Sequence, residues 1–196
     1  MQMKKFSRLI TASALAICNA ASAQDASTVF NKTKNSIYLV RAISEKTTSQ
    51  GSAVRIGNNS VVTNCHVIQG ASKIALIAGT VTIPASLLHA DPSRDLCTLF
   101  TGDLPPSTWP AIRPLDGIKV GERVFALGNP RSLDLTLSEG IVAAIRKTDS
   151  GTFIQNTAPI SPGSSGGALL DLQGRLLGIT SFQRVDSQNL NFAAPA

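Results

Sequence analysis

The sequence predicts an all-β protein of two six-stranded halves, preceded by a short N-terminal helix. Two observations carry this expectation. Short apolar runs rich in β-branched residues recur between Gly, Asn, Asp and Pro clusters, the pattern of strands and turns. A Pro-rich connector, about 103–116 with Pro105, Pro106, Pro110 and Pro114, divides these runs six and six. Many short strands with regular turn signals belong to sandwiches or barrels. Six per half fits two antiparallel β-barrels, while periodicity alone leaves a β-sandwich open.

The elements follow in order. The polar stretch Asp25 to Asn35, with Val29 and Phe30 near its start, reads as the helix. Strands are expected at 37–43, 51–56, 60–64, 73–77, 80–88 and 96–100, with Gly57-Asn58-Asn59 as a hairpin turn between the second and third. The second half places strands at 123–127, 136–146, 152–156, 168–170, 176–183 and 189–193, with a turn at Asp171 to Gly174. The first half is expected over about 36–102 and the second over about 117–196.

The N-terminus bears on the compartment. Lys4, Lys5 and Arg8 precede an apolar run from Leu9 to Ile17, and Ala21-Ser22-Ala23 closes the stretch as an A-x-A cleavage signal. This is the three-part layout of a secretory signal peptide over 1–23, leaving Gln24 first in the mature chain. The run is too short to span a bilayer, which takes ~20 apolar residues as a helix. No later segment is apolar enough either, so no stable membrane insertion is expected. The formal charge of +6 overstates the basic balance. The 18 Lys and Arg less the three in the leader leave 15 against 12 acidic residues, net +3. Without a clustered basic patch this gives no footprint for nucleic acid. Of three cysteines, Cys18 leaves with the leader; Cys65 and Cys97 remain, an even count that suggests a disulfide in an exported protein.

Three segments can carry chemistry. In Ser161-Pro162-Gly163-Ser164-Ser165-Gly166-Gly167, the glycines permit left-handed backbone and close approach of a ligand. A nucleophilic serine needs that setting, with backbone N–H groups aimed at a developing oxyanion. A plain Gly/Ser loop is the alternative. His66 ends the β-branched run Val61-Val62-Thr63-Asn64-Cys65-His66, and histidine is the natural base for a serine because it titrates near neutrality. A satisfied histidine at a strand end is the competing reading. Asp95 stands directly before the apolar run Leu96 to Phe100 and can orient an imidazole, or simply close a turn. His89 reads as a surface residue, and Asp91 as a rival orienter.

Taken together, Thr63-Asn64-Cys65-His66-Val67, Asp95-Leu96-Cys97 and Gly163-Ser164-Ser165-Gly166-Gly167 resemble the triad blocks of trypsin-like serine proteases, in the same His, Asp, Ser order. The bacterial HtrA-like branch is the nearest resemblance. Gly51-Ser52-Ala53-Val54, Val120-Gly121-Glu122-Arg123-Val124, Ala126-Leu127-Gly128-Asn129-Pro130, Ser138-Glu139-Gly140-Ile141-Val142, Phe153-Ile154-Gln155-Asn156 and Asn191-Phe192-Ala193-Ala194-Pro195 carry it. It covers about residues 28 to 196. The resemblance implies a double β-barrel and an exported endopeptidase of the bacterial envelope, acting on protein or peptide substrates without a cofactor. Ser165 would be the nucleophile, His66 the base and then the acid, and Asp95 the orienter. The N–H groups of Gly163 and Ser165 would form the oxyanion hole, with Ser164 shaping the loop. Pro159, Ile160, Thr180, Ser181 and Phe182 would line the specificity pocket. No carboxylate stands there, which favours small or medium apolar side chains at the cleavage point.

The resemblance also brings the segments of His66 and Asp95 together, and so predicts a Cys65–Cys97 disulfide; two buried free thiols are the alternative. A zinc site from Cys65, His66 and Cys97 is disfavoured by the adjacent Cys-His spacing and the want of a fourth ligand. Three departures from the family pattern stand out. Ser164 replaces the acid that in digestive members pairs with a newly released N-terminus, so no such activation step is expected. Ser161-Pro162 stands before Gly163 in place of a more flexible polar pair, presetting the loop in a competent or an incompetent shape. The sequence ends at Ala196, leaving no room for the branch's usual PDZ domain, and with it no expectation of regulation by such a domain; it does not set the oligomeric state. The alternative to an enzyme is a catalytically inactive pseudo-protease that serves as a binding module.

Overall fold

The computed structural model describes residues 21–130, 134–149, 151–183 and 190–196. The expected leader falls almost wholly outside these residues. Helix α1 (Ala21–Thr33) and a 3₁₀ turn (Lys34–Ser36) lead into twelve strands. The helix starts four residues before the expected stretch and takes in Ala21-Ser22-Ala23.

The first six strands are β1 (Ile37–Ile43), β2 (Thr48–Arg55), β3 (Ser60–Asn64), β4 (Lys73–Ala78), β5 (Val81–Asp91) and β6 (Leu96–Thr101). They close into an antiparallel barrel in the order β1-β2-β3-β6-β5-β4. The second six are β7 (Arg123–Gly128), β8 (Thr136–Thr148), β9 (Gly151–Asn156), β10 (Ala168–Leu170), β11 (Leu176–Gln183) and β12 (Asn191–Pro195), closing as β10-β11-β12-β9-β8-β7. Closure settles the choice that periodicity left open. Each ring pairs every strand on both sides and leaves no sheet edge, as a barrel does and a sandwich does not.

Alternation fills each barrel. In β1, Tyr38, Val40 and Ala42 point inward, joining Ala53, Val61, Leu76, Ile83 and Leu99 in the first core. Val124, Ala126, Val142, Ile154, Leu169 and Leu177 fill the second. A third apolar cluster binds the two barrels and the helix into one body: Val29 of α1, Val54 and Val62 of the first barrel, and Phe125, Leu127, Leu170, Leu176 and Ile179 of the second. The Pro-rich connector is tied down through Arg113. Its backbone N–H donates to Leu176 O, and its guanidinium lies 2.7 Å from Glu122 and 3.4 Å from the buried Asp171.

Candidate active site

The site forms where the barrels meet, from the ends of β3, β6 and β11 and the loop before β10. After β3 the chain makes a single helical turn, α2 (Cys65–Ile68), which lifts His66 out of the sheet. The His66 side chain is about half exposed. The β5–β6 hairpin closes through Pro92 to Asp95, and Asp95 takes φ +56. It is the one non-glycine in the left-handed region among the described residues. Aspartate tolerates that region better than most residues, and such conformations concentrate at functional positions.

This conformation turns the Asp95 carboxylate onto the helical turn. Oδ1 accepts the His66 backbone N–H at 3.0 Å, and Oδ2 meets His66 Nδ1 at 2.7 Å. The Ser181 hydroxyl of β11 donates to the same Oδ2 at 2.9 Å. The Asp95 carbonyl accepts from Cys65 N and from Asn64 Nδ2. Burial pushes the Asp95 carboxyl up, but hydrogen bonds from the His66 ring, the His66 N–H and Ser181 outweigh it and hold the group below its ordinary value. Asp91 is occupied elsewhere. Ser93 and then Arg94 hydrogen-bond it and bring its pKa down to about 2. His89 is exposed on β5. A Cys65–Cys97 disulfide, Cα–Cα 4.9 Å, joins the residue before His66 to the strand after Asp95.

The loop before β10 supplies Ser165. Ser164 N–H donates to Ser161 O at 2.8 Å, with Pro162 between them and Gly163 at φ +96. Proline at the second position and a positive φ at the third define a type II turn. Ser164 Oγ reinforces it by accepting Ser161 N–H. The Ser164 N–H is therefore spent within the turn. Those of Gly163 and Ser165 donate to no described residue. Gly166 sits at φ +87, and a Cβ there would lie 2.0 Å from Ser52 O. Only glycine lets the loop press this closely onto the first barrel.

Ser165 Oγ donates to the Ser181 carbonyl at 2.8 Å rather than to His66. Both side chains open onto a cleft of about 420 Å³, lined also by Ile160, Ser161, Pro162, Ser181 and Phe182. None of these residues carries a carboxylate. The expected pocket set divides here. Ile160, Ser181 and Phe182 line the cleft, whereas Pro159 and Thr180 line a smaller cavity of about 180 Å³ on the other side of the loop, with Ile160 and Ser161 between. Thr180 is only 1% exposed, because β11 turns its side chain under the loop. Phe182 is held at the cleft rim by stacking on Phe192 and edge contact with Phe153. The Ser181–Asp95 bond and the contacts of Ser52 with the loop escape sequence reasoning, since each joins residues distant in the chain.

Residues 51–179 match the model of the trypsin-like peptidase domain, and the chain belongs to that family. It is 34% identical over 155 residues to the serine protease Do-like HtrA of Bacillus subtilis, covering 71% of this chain and 34% of that protein. It is 35% identical over 137 residues to the periplasmic pH-dependent serine endoprotease DegQ of Escherichia coli, covering 67% and 30%. Among solved structures, the HtrA-type protease AlgW with a tripeptide superposes with TM-score 0.80 at 31% identity, over 87% of this chain and 59% of that one. The chain thus spans about a third of the length of these curated relatives.

Proposed function

We propose that the protein is a serine endopeptidase with Ser165 as nucleophile, His66 as general base and acid, and Asp95 as orienter. One observation supports this best: Asp95 holds His66 Nδ1 at 2.7 Å, and His66 and Ser165 open onto one cleft, with the Gly163 and Ser165 backbone N–H groups unspent among the described residues. Catalysis requires Oγ to leave the Ser181 carbonyl and donate to His66 Nε2, a change of Ser165 rotamer. Oγ then attacks the scissile carbonyl carbon while its proton passes to Nε2. The carbonyl oxygen becomes an oxyanion, taken up by the N–H groups of Gly163 and Ser165. Collapse breaks the C–N bond, and the amine leaves with the proton from His66. Water, deprotonated by the same imidazole, releases the acyl group and restores Ser165.

The apolar cleft of Ile160, Pro162 and Phe182 supports small or medium apolar side chains at the residue before the cut. Digestion of casein followed by mass spectrometry of the fragments tests both levels. Endopeptidase cleavage is expected, with Ala, Val or Leu preferred over Lys and Asp by about tenfold or more, the scale on which apolar pockets discriminate. Cuts clustered after Lys or Arg would overturn the pocket assignment, and intact casein the activity.

The leader-like residues 1–23, the periplasmic relatives and the disulfide together support export to an oxidising compartment such as a bacterial periplasm. Unfolded envelope proteins suit such an enzyme as substrates. The disulfide spans 32 residues of sequence. In the chain-entropy model closing such a loop stabilises the fold by about 3–4 kcal/mol. Reduction is expected to lower the urea midpoint correspondingly, and an unchanged midpoint would show that the bond adds nothing.

A further inference from the structure

We infer that the hydroxyls of Thr180 and Ser52, one from each barrel, are positioning groups that clamp the peptide planes of the oxyanion loop. The inference rests on the proposed peptidase reading and adds two residues to it. In a planar trans peptide the C=O and N–H point in opposite directions, so fixing the carbonyl aims the N–H. The Ser165 N–H belongs to the peptide whose carbonyl is Ser164 O. That oxygen accepts the Thr180 hydroxyl at 2.6 Å and the Gly167 N–H at 2.9 Å.

The preceding peptide joins Gly163 to Ser164. Its N–H is held by Ser161 O, and its carbonyl accepts the Ser52 hydroxyl at 2.9 Å. The direction of that bond is settled by a neighbour. The Asn129 N–H can only donate, and it donates to Ser52 Oγ at 2.8 Å. The hydroxyl hydrogen is thereby left for Gly163 O. The following peptide is held as well, Ser165 O by Ser52 N–H at 2.7 Å and Gly166 N–H by Thr180 O at 2.8 Å. Three consecutive planes are thus pinned by Ser52 of β2, Thr180 of β11 and the turn itself. Both clamping side chains are buried, Ser52 at 0% and Thr180 at 1% exposure. Neither touches the cleft, so they act through the loop and not on substrate.

Thr180→Val removes the hydroxyl and keeps the shape, while Ser164 O retains its bond to Gly167. A donor misplaced by about 1 Å costs on the order of 10²-fold in rate. We expect Thr180→Val and Ser52→Ala each to lower kcat by about 10²-fold with KM within about twofold. Thr180→Ser, which keeps the hydroxyl, should restore most of kcat. Ser36→Ala deletes an equally buried hydroxyl, bonded to Thr33 O away from the loop, and should leave kcat unchanged. Hydrogen exchange over residues 161–167 gives a readout free of turnover, and it should quicken in Thr180→Val and Ser52→Ala but not in Ser36→Ala. An inert wild type would overturn the peptidase reading alone, and the exchange data would still decide the clamp. Unchanged exchange in both clamp variants, or Thr180→Ser as impaired as Thr180→Val, would overturn the clamp.

Discussion

Replacing Ser165 by alanine is expected to lower kcat by about 10⁶-fold, the scale found when the nucleophile of a triad is removed. The serines on either side of the site are engaged. Ser164 Oγ is turned back onto the Ser161 N–H, and the Ser181 hydroxyl is committed to Asp95. The folded state loses one hydrogen bond, from Ser165 Oγ to Ser181 O, worth about 1 kcal/mol. Thermal unfolding should therefore barely move, and peptide affinity should survive. Steady-state hydrolysis of a chromogenic peptide and a parallel melting curve check both. A variant retaining more than about a thousandth of wild-type turnover would place the nucleophile elsewhere.

The second large effect is expected from Asp95→Asn, about 10⁴-fold in kcat. Its cause can be read from the hydrogen bonds. The His66 backbone N–H can only donate, so the amide oxygen must occupy the Oδ1 position that accepts it. The amide NH₂ then takes the Oδ2 position, facing His66 Nδ1. Nδ1 must become an acceptor, which moves the ring proton to Nε2, the nitrogen assigned to receive the proton of Ser165 in the proposed mechanism. The Ser181 hydroxyl must also reverse from donor to acceptor. Turnover should fall while labelled-histidine NMR shows the tautomer exchanged. Near-normal turnover would remove Asp95 from its assigned role.

The same carboxylate has a pH signature. Its pKa is lowered on folding, so its contribution to stability is complete above the ordinary value of 3.8 and is lost as pH falls through the lower folded value. Acid titration of stability should show this loss below about pH 4 in the wild type, with a shallower acid limb in Asp95→Asn. Identical limbs would mean that the lowered carboxyl does not contribute.

Strands whose inward residues are apolar are plain in the sequence, and β1, β3, β10 and β11 fall on their expected residues. The ends that differ have physical reasons. Strand β2 begins at Thr48 because Thr48, Ser49 and Gln50 pair with Ile43, Ala42 and Arg41, a ladder made by backbone that polar side chains do not signal. Strand β5 runs on to Asp91 with most of its later residues exposed, carried by pairing to β6. The helix absorbs the small residues read as a cleavage signal. At the site, local motifs single out the residues assigned to the triad: a histidine ending a strand, an aspartate beginning one, a serine among glycines. They say nothing of Thr180, which was expected at the pocket and lies beneath the loop, or of Ser52. Such roles come from contacts across 16 and 111 residues of chain. The sequence likewise leaves open the shape imposed by Pro162; in the type II turn the Gly163 and Ser165 N–H groups donate to no described residue.

The proposed function requires Ser165 to be an activated nucleophile in an assembled site. Incubation of the protein with a fluorophosphonate, followed by intact mass and peptide mapping, tests it most directly. One adduct per chain, located on Ser165 and absent from His66→Ala, is the expected result. A wild-type protein that takes up no label, or takes it up equally without His66, would contradict it.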